Sequence, residues 1–227
     1  MKLLTKGNPK TAKGQSQGYQ TWILHLAPSD LCGVGNTCPK ATPGCKSACL
    51  NTAGRGGMFK PGGTNTIQQA RIRKTLAFFA NRELFMQELA VDINKAIRYS
   101  VKRGLIPVFR LNGTSDLPWE KYTAYGYTLF ELYPDVQFYD YTKVLGRKVQ
   151  HIENYHLTFS RSENNDADCK KAQRQGMNVA VVYDKIPKDV YNADETDLRF
   201  LDPKVGIIGL TAKGRAKKDT SGFVIRA

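Results

Sequence analysis

Short apolar runs that end abruptly in polar residues recur along the chain. Six of them predict strands, because runs of this length, rich in β-branched and aromatic residues, are typical of buried strands. They cover residues 22–27, 107–111, 137–141, 156–159, 179–183 and 206–210. Helical segments separate several of the runs, and this alternation is typical of βα units. The pattern therefore predicts an α/β fold, a partial β/α barrel of about six parallel strands.

Apolar stripes at helical spacing predict the longest helical region, residues 65–103. A polar interruption at residues 80–82 predicts two helices there, and Gly104 predicts the end of the second. Residues 120–135 also have a helical period, which predicts a further helix between the second and third strands.

Polar residues follow each predicted strand. Functional groups of parallel α/β sheets sit at the carboxyl ends of the strands, so these residues are candidates for a ligand site. They are Arg110, Asn112, Ser115, Asp116, Asp140, Lys143, Ser160, Arg161, Asp184 and Lys213, with Arg55 from a glycine-rich segment. Their mixed chemistry suits a small anionic or nucleotide-like ligand. Alternatively, Asp116, Asp140 and Asp184 would hold a divalent cation.

The length and the net charge of the chain indicate how many domains to expect and which partners are candidates. The chain has 227 residues, which predicts a single domain over residues 1–227, with a flexible basic tail at residues 215–227. Its net charge of +14 attracts polyanions and makes nucleic acid a candidate partner. No signal peptide or long apolar segment is recognisable, so we expect no membrane partner and a cytoplasmic protein.

Four of the five cysteines lie in one polar, glycine-rich loop, residues 31–57. Cys32, Cys38, Cys45 and Cys49 have the spacing C-x5-C-x6-C-x3-C. In a reducing cytoplasm such clusters bind metal more often than they form disulfides, and thiolates suit zinc, copper(I) and iron–sulfur clusters. The loop has no C-x2-C pair of the kind common in zinc sites. Its long gaps and its glycines favour a [4Fe–4S] cluster, with zinc as the alternative.

Two motifs resemble those of a known family. They are "TCPKATPGCKSACLNTAGRGG" in the cysteine loop and "DLRFLDPKVGIIGLTAKGRAKKDTSGF" near the C-terminus. Both resemble motifs of the gene-product-88-like family of tailed-phage proteins, and the resemblance extends from about residue 19 to residue 223. It implies a viral protein made in the cytoplasm of a bacterial host. The family has no assigned activity. The resemblance therefore implies where the protein comes from but does not imply a reaction that it catalyses.

A second resemblance is architectural. Radical S-adenosylmethionine enzymes are partial β/α barrels with three cluster cysteines after the first strand and a glycine-rich acidic motif after the second. The chain has its cysteines after its first predicted strand, and "RLNGTSDLPW" resembles a degenerate form of the second motif. The cysteine spacing departs from the family's C-x3-C-x2-C. Four ligating cysteines leave no iron open, whereas three, Cys38, Cys45 and Cys49, leave one for S-adenosylmethionine. Of the two sets we favour the four cysteines.

Two functional hypotheses follow, and enzymatic activity stays open in both. In the first, the chain is a phage-encoded iron–sulfur protein, either a redox protein or a radical S-adenosylmethionine-like enzyme. In the second, it is a nucleic-acid-binding phage protein whose cysteines hold a structural zinc ion. Salt-sensitive nucleic-acid binding that survives loss of the metal would favour the second hypothesis, and a redox-active cluster the first.

Overall fold

The structure is a computed structural model that describes residues 1–6, 9–60, 63 and 65–226. The strands are β1 (Leu4–Lys6), β2 (Tyr19–Leu24), β3 (Ile106–Arg110), β4 (Thr123–Ala124), β5 (Tyr127–Thr128), β6 (Gln137–Thr142), β7 (Tyr155–Ser160), β8 (Val179–Tyr183), β9 (Tyr191–Asn192), β10 (Ile207–Thr211) and β11 (Val224–Ile225). The α-helices are α1 (Pro9–Gln15), α2 (Pro43–Ser47), α3 (Thr66–Ala80), α4 (Arg82–Val101), α5 (Leu129–Leu132) and α6 (Asp166–Arg174). Short 3₁₀ helices cover Leu50–Thr52, Gly54–Gly57, Trp119–Lys121, Arg199–Leu201 and Gly214–Lys218.

Nine strands form one mostly parallel sheet, which makes the protein a mixed α/β structure. Their order is β1-β2-β3-β6-β7-β8-β10-β9, with β11 beside the carboxyl half of β8. The antiparallel pair in this sheet is β1 with β2, and β4 and β5 form a separate hairpin. The six predicted strands correspond to β2, β3, β6, β7, β8 and β10, which lie side by side in sequence order. Among the described residues, no pairing joins the edge strands β1 and β9.

Strand β2 ends at Leu24, three residues before the predicted end at residue 27. After Leu24, side chains form hydrogen bonds with the backbone groups that no longer pair with a neighbouring strand. Ala27 N donates to Thr75 Oγ1 at 2.8 Å, and Thr37 Oγ1 donates to Ala27 O at 2.7 Å. The buried apolar run therefore continues past the strand into the start of the cysteine loop.

The helical region predicted over residues 65–103 consists of α3 and α4, which meet at Asn81. The Asn81 side chain accepts a hydrogen bond from Leu84 N at 3.0 Å and so caps α4. Gly104, with a φ of +66°, follows the end of α4. Across the described ranges, no helix combines the length and the apolar character needed to cross a bilayer.

Residues 120–135 do not form the predicted helix. The hairpin of β4 and β5 turns at Tyr125 and Gly126, both with positive φ, and α5 is a single short helix. Leu129 and Phe130 are buried in the core with α4. In the hairpin Ala124 is buried, whereas Tyr125 and Tyr127 are exposed, so the apolar residues of the segment do not share one buried helical face.

Separate apolar clusters cover the two faces of the sheet. Phe109 and Phe138 lie in the largest cluster, together with the buried side chains of α4. Val108 and Tyr139, their neighbours on the same strands, instead pack with Leu198. Successive side chains of a strand point to opposite faces, so each strand contributes to both clusters.

The segment 215–227, expected to be a flexible basic tail, contains regular structure up to Ile225. It includes most of the 3₁₀ helix Gly214–Lys218 and all of β11, which pairs with β8. Between them the buried Asp219 accepts hydrogen bonds from Ser221 Oγ at 2.7 Å and from Val224 N at 3.0 Å. These bonds turn the chain back towards the sheet.

Candidate functional site

Hydrogen bonds fasten the cysteine loop to the carboxyl ends of β2 and β3. Thr37 is an anchor, because its N–H donates to Ser29 O at 3.0 Å and its carbonyl oxygen accepts from Asp116 N at 2.8 Å. Cys38 Sγ lies 3.7 Å from the carbonyl oxygen of Thr114, in the loop after β3. The cysteine loop and the loop after β3 therefore form one continuous surface.

Glu163, three residues after β7, holds helix α2 in place. Its carboxylate accepts hydrogen bonds from Thr42 Oγ1 and from Gly44 N, each at 2.7 Å. Thr42 in turn caps α2 by accepting from Cys45 N at 3.2 Å. Gly44 has no room for a side chain, since a Cβ there would lie 2.8 Å from Glu163 Oε1. Cys45 is thereby tied to the carboxyl end of β7.

Side chains at the start of α3 hold the glycine-rich segment of the cysteine loop. Asn65 Nδ2 donates to Gly56 O at 3.2 Å, and Gln68 Nε2 donates to the same oxygen at 2.7 Å. Arg71 Nη1 donates to the backbone oxygen of Asn51 at 2.9 Å. A Cβ on Gly56 would lie 2.5 Å from Asn51 O, so close packing against the backbone of the same loop explains this glycine.

The two sequence motifs pack against each other. Ala48 of the cysteine loop lies in one buried cluster with Ala212 and Ala216 of the C-terminal motif. Gly214 has a φ of +57°, and a Cβ there would lie 3.2 Å from Ala53. The C-terminal motif therefore forms part of the scaffold of the cysteine loop.

Cys49 lies within electrostatic reach of two other loop cysteines, Cys38 and Cys45. Burial raises the pKa of Cys38 to about 11, and charge on Cys49 adds to the rise. Burial also raises the pKa of Cys49, with a contribution from charge on Cys45. Cys32 Sγ instead donates to the carbonyl oxygen of Gly35, 3.5 Å away in its own turn.

Backbone amides face two of the cysteine sulfurs. Asn51 N donates to Cys49 Sγ at 3.5 Å. The Ser29 amide lies beside Cys38 Sγ and opposes the effect of burial on the pKa of that thiol. Ser29 has a φ of +53°, a backbone conformation that is uncommon outside glycine. N–H···S contacts of this kind tune thiolate-bound metal centres.

The predicted metal site is not assembled in the described part of the chain. There, no group of three or more His, Cys, Asp or Glu side chains has a metal-binding arrangement. All four loop cysteines are free and half-buried. Their thiol chemistry fits a soft metal centre, and the sulfurs would have to move together to bind one. The [4Fe–4S] cluster and its zinc alternative stay predictions.

Cationic side chains lie beside Cys49. The positive charges of Lys143 and Arg71 lower the pKa of the Cys49 thiol, against the larger effect of burial. Lys143 Nζ also donates to Ser160 Oγ at 3.0 Å, so two of the predicted ligand residues meet. Arg71 further adds to burial, the main cause, in lowering the pKa of His25 to about 3. A positive potential at this edge of the sheet favours an anionic group.

A buried polar network lies next to the loop after β3. Arg147 Nε donates to Glu120 Oε1 at 3.0 Å, and Arg147 Nη2 donates to Tyr155 Oη at 3.1 Å. Tyr155 Oη donates to Asp140 Oδ2 at 3.2 Å. Asp116 Oδ1 lies 3.8 Å from Arg147 Nη1. Burial raises the pKa of Asp140 to about 7. The two predicted aspartates thus share a network with an arginine.

Asn112 organises the loop after β3. Its Oδ1 accepts hydrogen bonds from Ser115 Oγ at 2.9 Å, from Leu117 N at 2.9 Å and from Trp119 Nε1 at 3.0 Å. Its backbone N–H donates to Asp140 Oδ1 at 2.8 Å. The side chains of Asn112 and Ser115 therefore form hydrogen bonds within their own loop, and the Asn112 backbone ties this loop to β6.

Arg110 and Arg161, both predicted ligand residues, are bonded elsewhere. Arg110 is buried on the sheet face opposite Asp140, where its Nη1 donates to Asp197 Oδ2 at 2.7 Å. Arg161 Nη1 donates to Gly222 O at 2.8 Å and so holds the C-terminal segment.

The last three predicted residues are exposed. Lys213 Nζ pairs with Asp194 Oδ1 at 3.1 Å, and Asp184 Oδ2 lies 3.8 Å from Arg226 Nη1. Arg55 forms no ion pair with any residue in the described ranges. The structure places Asp184 apart from the network that holds Asp116 and Asp140, and the three form no shared cation site among the described residues.

A family model described as Gene product 88, GP88, matches residues 2–227 of the chain. The chain belongs to the GP88 family. The match covers both sequence motifs and agrees with a GP88-like phage protein, as their resemblance predicts. No curated protein and no solved structure matches the GP88 protein. The resemblance to radical S-adenosylmethionine enzymes therefore gains no support from these comparisons.

Sequence reasoning missed several residues that organise this part of the GP88 protein: Asn65, Gln68, Arg71, Arg147 and Glu163. A local signal existed for Asn65, which precedes a helix, and for Glu163, which follows a strand. Arg71 and Arg147 show no such signal, because their partners are distant in sequence.

Two shallow grooves of the GP88 protein lie along α4. Their volumes are about 300 and 320 Å³, and both are lined by Val91 and Tyr125. These grooves contain none of the predicted ligand residues.

Proposed function

We propose that the GP88 protein binds a [4Fe–4S] cluster in its cysteine loop. It would act as a redox protein or a radical S-adenosylmethionine-like enzyme in the cytoplasm of a bacterial host. Cys38, Cys45 and Cys49 are the proposed ligands, and Cys32 is the candidate fourth. The observation that carries the proposal is the electrostatic interaction of Cys49 with Cys45 and with Cys38, in a loop that hydrogen bonds fasten to the residues after β2 and β3. A bound cluster would supply one-electron transfer.

The charge of the surroundings supports an anionic centre here. Burial raises the pKa of Cys49, and the positive charges of Lys143 and Arg71 oppose that rise. In a half-buried site, cations stabilise thiolates and cluster sulfides more than they would at the surface. The amides beside Cys38 and Cys49 are placed to donate N–H···S hydrogen bonds.

The number of ligands decides what the cluster does. The contact of Cys32 with Gly35 in its own turn supports a three-cysteine set, with one iron free for a small ligand such as S-adenosylmethionine. Lys143 and Ser160 then offer a cation and a hydroxyl to a small anionic or nucleotide-like ligand. With Cys32 as fourth ligand, the cluster is closed and serves as an electron carrier.

The sheet supports a finer description of the fold. We infer a partial β/α barrel, because six parallel strands follow one another in sequence order. The cysteine loop lies at their carboxyl ends, where barrels of this kind carry their functional groups.

Anaerobic purification, followed by quantification of iron, acid-labile sulfide and zinc on one sample, tests the proposal. We expect about four irons and four sulfides per chain. Cys38→Ser, Cys45→Ser and Cys49→Ser should each lose them, whereas Cys169→Ser, at the thiol outside the loop, should retain them. If Cys32→Ser retains the iron and the sulfide, three cysteines bind the cluster. If it loses them, all four do.

A zinc-stabilised nucleic-acid-binding protein is the second candidate function. The observation that favours it is the net charge of +14, part of which lies on exposed side chains of the cysteine loop. One zinc per chain without sulfide would replace the cluster proposal by this one.

A further inference from the structure

The end of the cysteine loop, with the residues that follow it, and the 3₁₀ helix Gly214–Lys218 carry a set of exposed cations. We call this set the basic face; its members are Arg55, Lys60, Arg215, Lys217 and Lys218. Two parts of the chain that are distant in sequence meet here, because Gly214 packs against Ala53. In the part of the chain that the structure describes, no member of the basic face forms an ion pair.

Two large apolar side chains lie in the same exposed segment of chain as Arg55 and Lys60. Met58 and Phe59 are 69% and 52% exposed, and they stand between Arg55 and Lys60 in the chain. Phe59 makes no ring contact with any other described aromatic residue. An exposed aromatic ring flanked by cations can stack on a nucleic-acid base while the cations contact phosphates.

The acidic side chains near the basic face are already engaged. Asp219, next to Lys218, is buried and bonded to Ser221 Oγ and Val224 N. Glu163 is bonded to α2 through the Gly44 amide. In the described ranges neither carboxylate forms an ion pair with a member of the basic face, and the five exposed cations outnumber them, so the face has a positive potential.

We propose that the basic face binds single-stranded nucleic acid. Arg55, Lys217 and Lys218 contact phosphates, and Phe59 stacks on a base. Single strands fit better than an acidic protein, because an unpaired base gives the exposed Phe59 ring a partner. The inference rests on the second candidate function and names its partner, and it is independent of the cluster, since no cysteine takes part in the binding.

Fluorescence anisotropy with a labelled DNA single strand of about 20 nucleotides tests the proposal at rising salt concentration. The variant Lys217→Gln/Lys218→Gln should lower the slope of log affinity against log salt by about 1.4, since each lost phosphate contact contributes about 0.7. Its control, Arg98→Gln/Lys102→Gln, removes the same charge from exposed positions at the end of α4 and directly after it, and should keep the slope.

Stacking is tested separately from charge. Phe59→Ala should weaken binding of the single strand about tenfold with an unchanged salt slope. The control Tyr127→Ala removes an aromatic ring that is 59% exposed on the β4–β5 hairpin and should bind as the parent does. Thermal unfolding midpoints equal to that of the parent show that each variant is folded.

Three results would each overturn the proposal. The first is an equal salt slope for the two charge variants, which shows that charge acts without a defined face. The second is equal affinity for a duplex of the same length, with no effect of Phe59→Ala. The third is competition by polyglutamate as effective as competition by unlabelled single strand, which shows a surface for acidic proteins.

Discussion

Gly44 N donates a hydrogen bond to Glu163 Oε1 at 2.7 Å, which joins α2 of the cysteine loop to the end of β7. Glu163 also binds Thr42, the residue that caps α2 in front of Cys45. One carboxylate thus sets the position of a proposed metal ligand. The contact is a tertiary one, since the two partners are 119 residues apart.

Glu163→Ala should destabilise the protein by about 2 kcal/mol, because hydrogen bonds to a charged group each contribute up to about 3 kcal/mol. Urea unfolding measures the effect. Glu153→Ala, at an exposed position, is the control and should stay within about 0.5 kcal/mol of the parent. Equal stability of the two variants would show that Glu163 does not hold α2.

Arg147→Met should destabilise the protein by about 3–5 kcal/mol, since it leaves the buried Glu120 carboxylate without its cation. Chemical denaturation measures the loss, and Lys148→Met removes an exposed charge next to it as a control. Adding Glu120→Gln to Arg147→Met should recover part of the stability. A loss no larger than that of Lys148→Met would contradict the role of the network.

Asp140 should make stability depend on pH. Burial raises its pKa to about 7 in the folded protein, whereas the unfolded chain has a pKa of about 3.9. Between about pH 4 and pH 7 the folded state holds a proton that the unfolded state has lost, so this contribution falls as pH rises. The buried His25 and His156, with pKa values of about 3 and 4, act in the opposite direction below about pH 6.5.

Comparison with Asp140→Asn isolates the carboxyl group from the two histidines. Relative to the parent, the variant should gain stability as pH rises from about 4 to 7, by at most about 1.4 kcal/mol per pH unit. Urea unfolding at several pH values gives the difference. Stability curves that run parallel over this range would show that Asp140 does not titrate there.

Arg71→Met should lower the reduction potential of the proposed cluster by roughly 50 mV, where 59 mV is a tenfold change for one electron. The Arg71 charge lies close to Cys49 and favours the more negative, reduced cluster. Redox titration at equal iron content measures the shift. Arg73→Met removes an exposed charge from the same helix and should leave the potential unchanged, and Arg71→Lys should restore it.

Sequence patterns located most of the elements but fewer of their contacts. The strand predicted over residues 179–183 coincides with β8, because a buried parallel strand is apolar over its whole length. The break predicted at residues 80–82 matches the cap at Asn81. The helix predicted over residues 120–135 was wrong, because the turn at Tyr125 and Gly126 divides the segment into a hairpin and the short helix α5.

The candidate site was predictable to a smaller extent. Asn112 was recognised as a strand-end residue, but its side-chain hydrogen bonds lie within its own loop, and its backbone N–H bonds Asp140. Lys143 and Ser160 were predicted together and do meet. Arg147 was missed, because its partner Glu120 belongs to a different loop.

By itself, the sequence determined the six main strands, the two long helices and the grouping of four thiols in one loop, because each depends on residues close in the chain. The tertiary structure decided which side chains meet. Strand pleating turned Arg110 towards Asp197 and away from Asp140, and the order of the strands brought Ala48 against Ala216. Such contacts depend on pleat phase and strand order, which no local pattern of residues specifies.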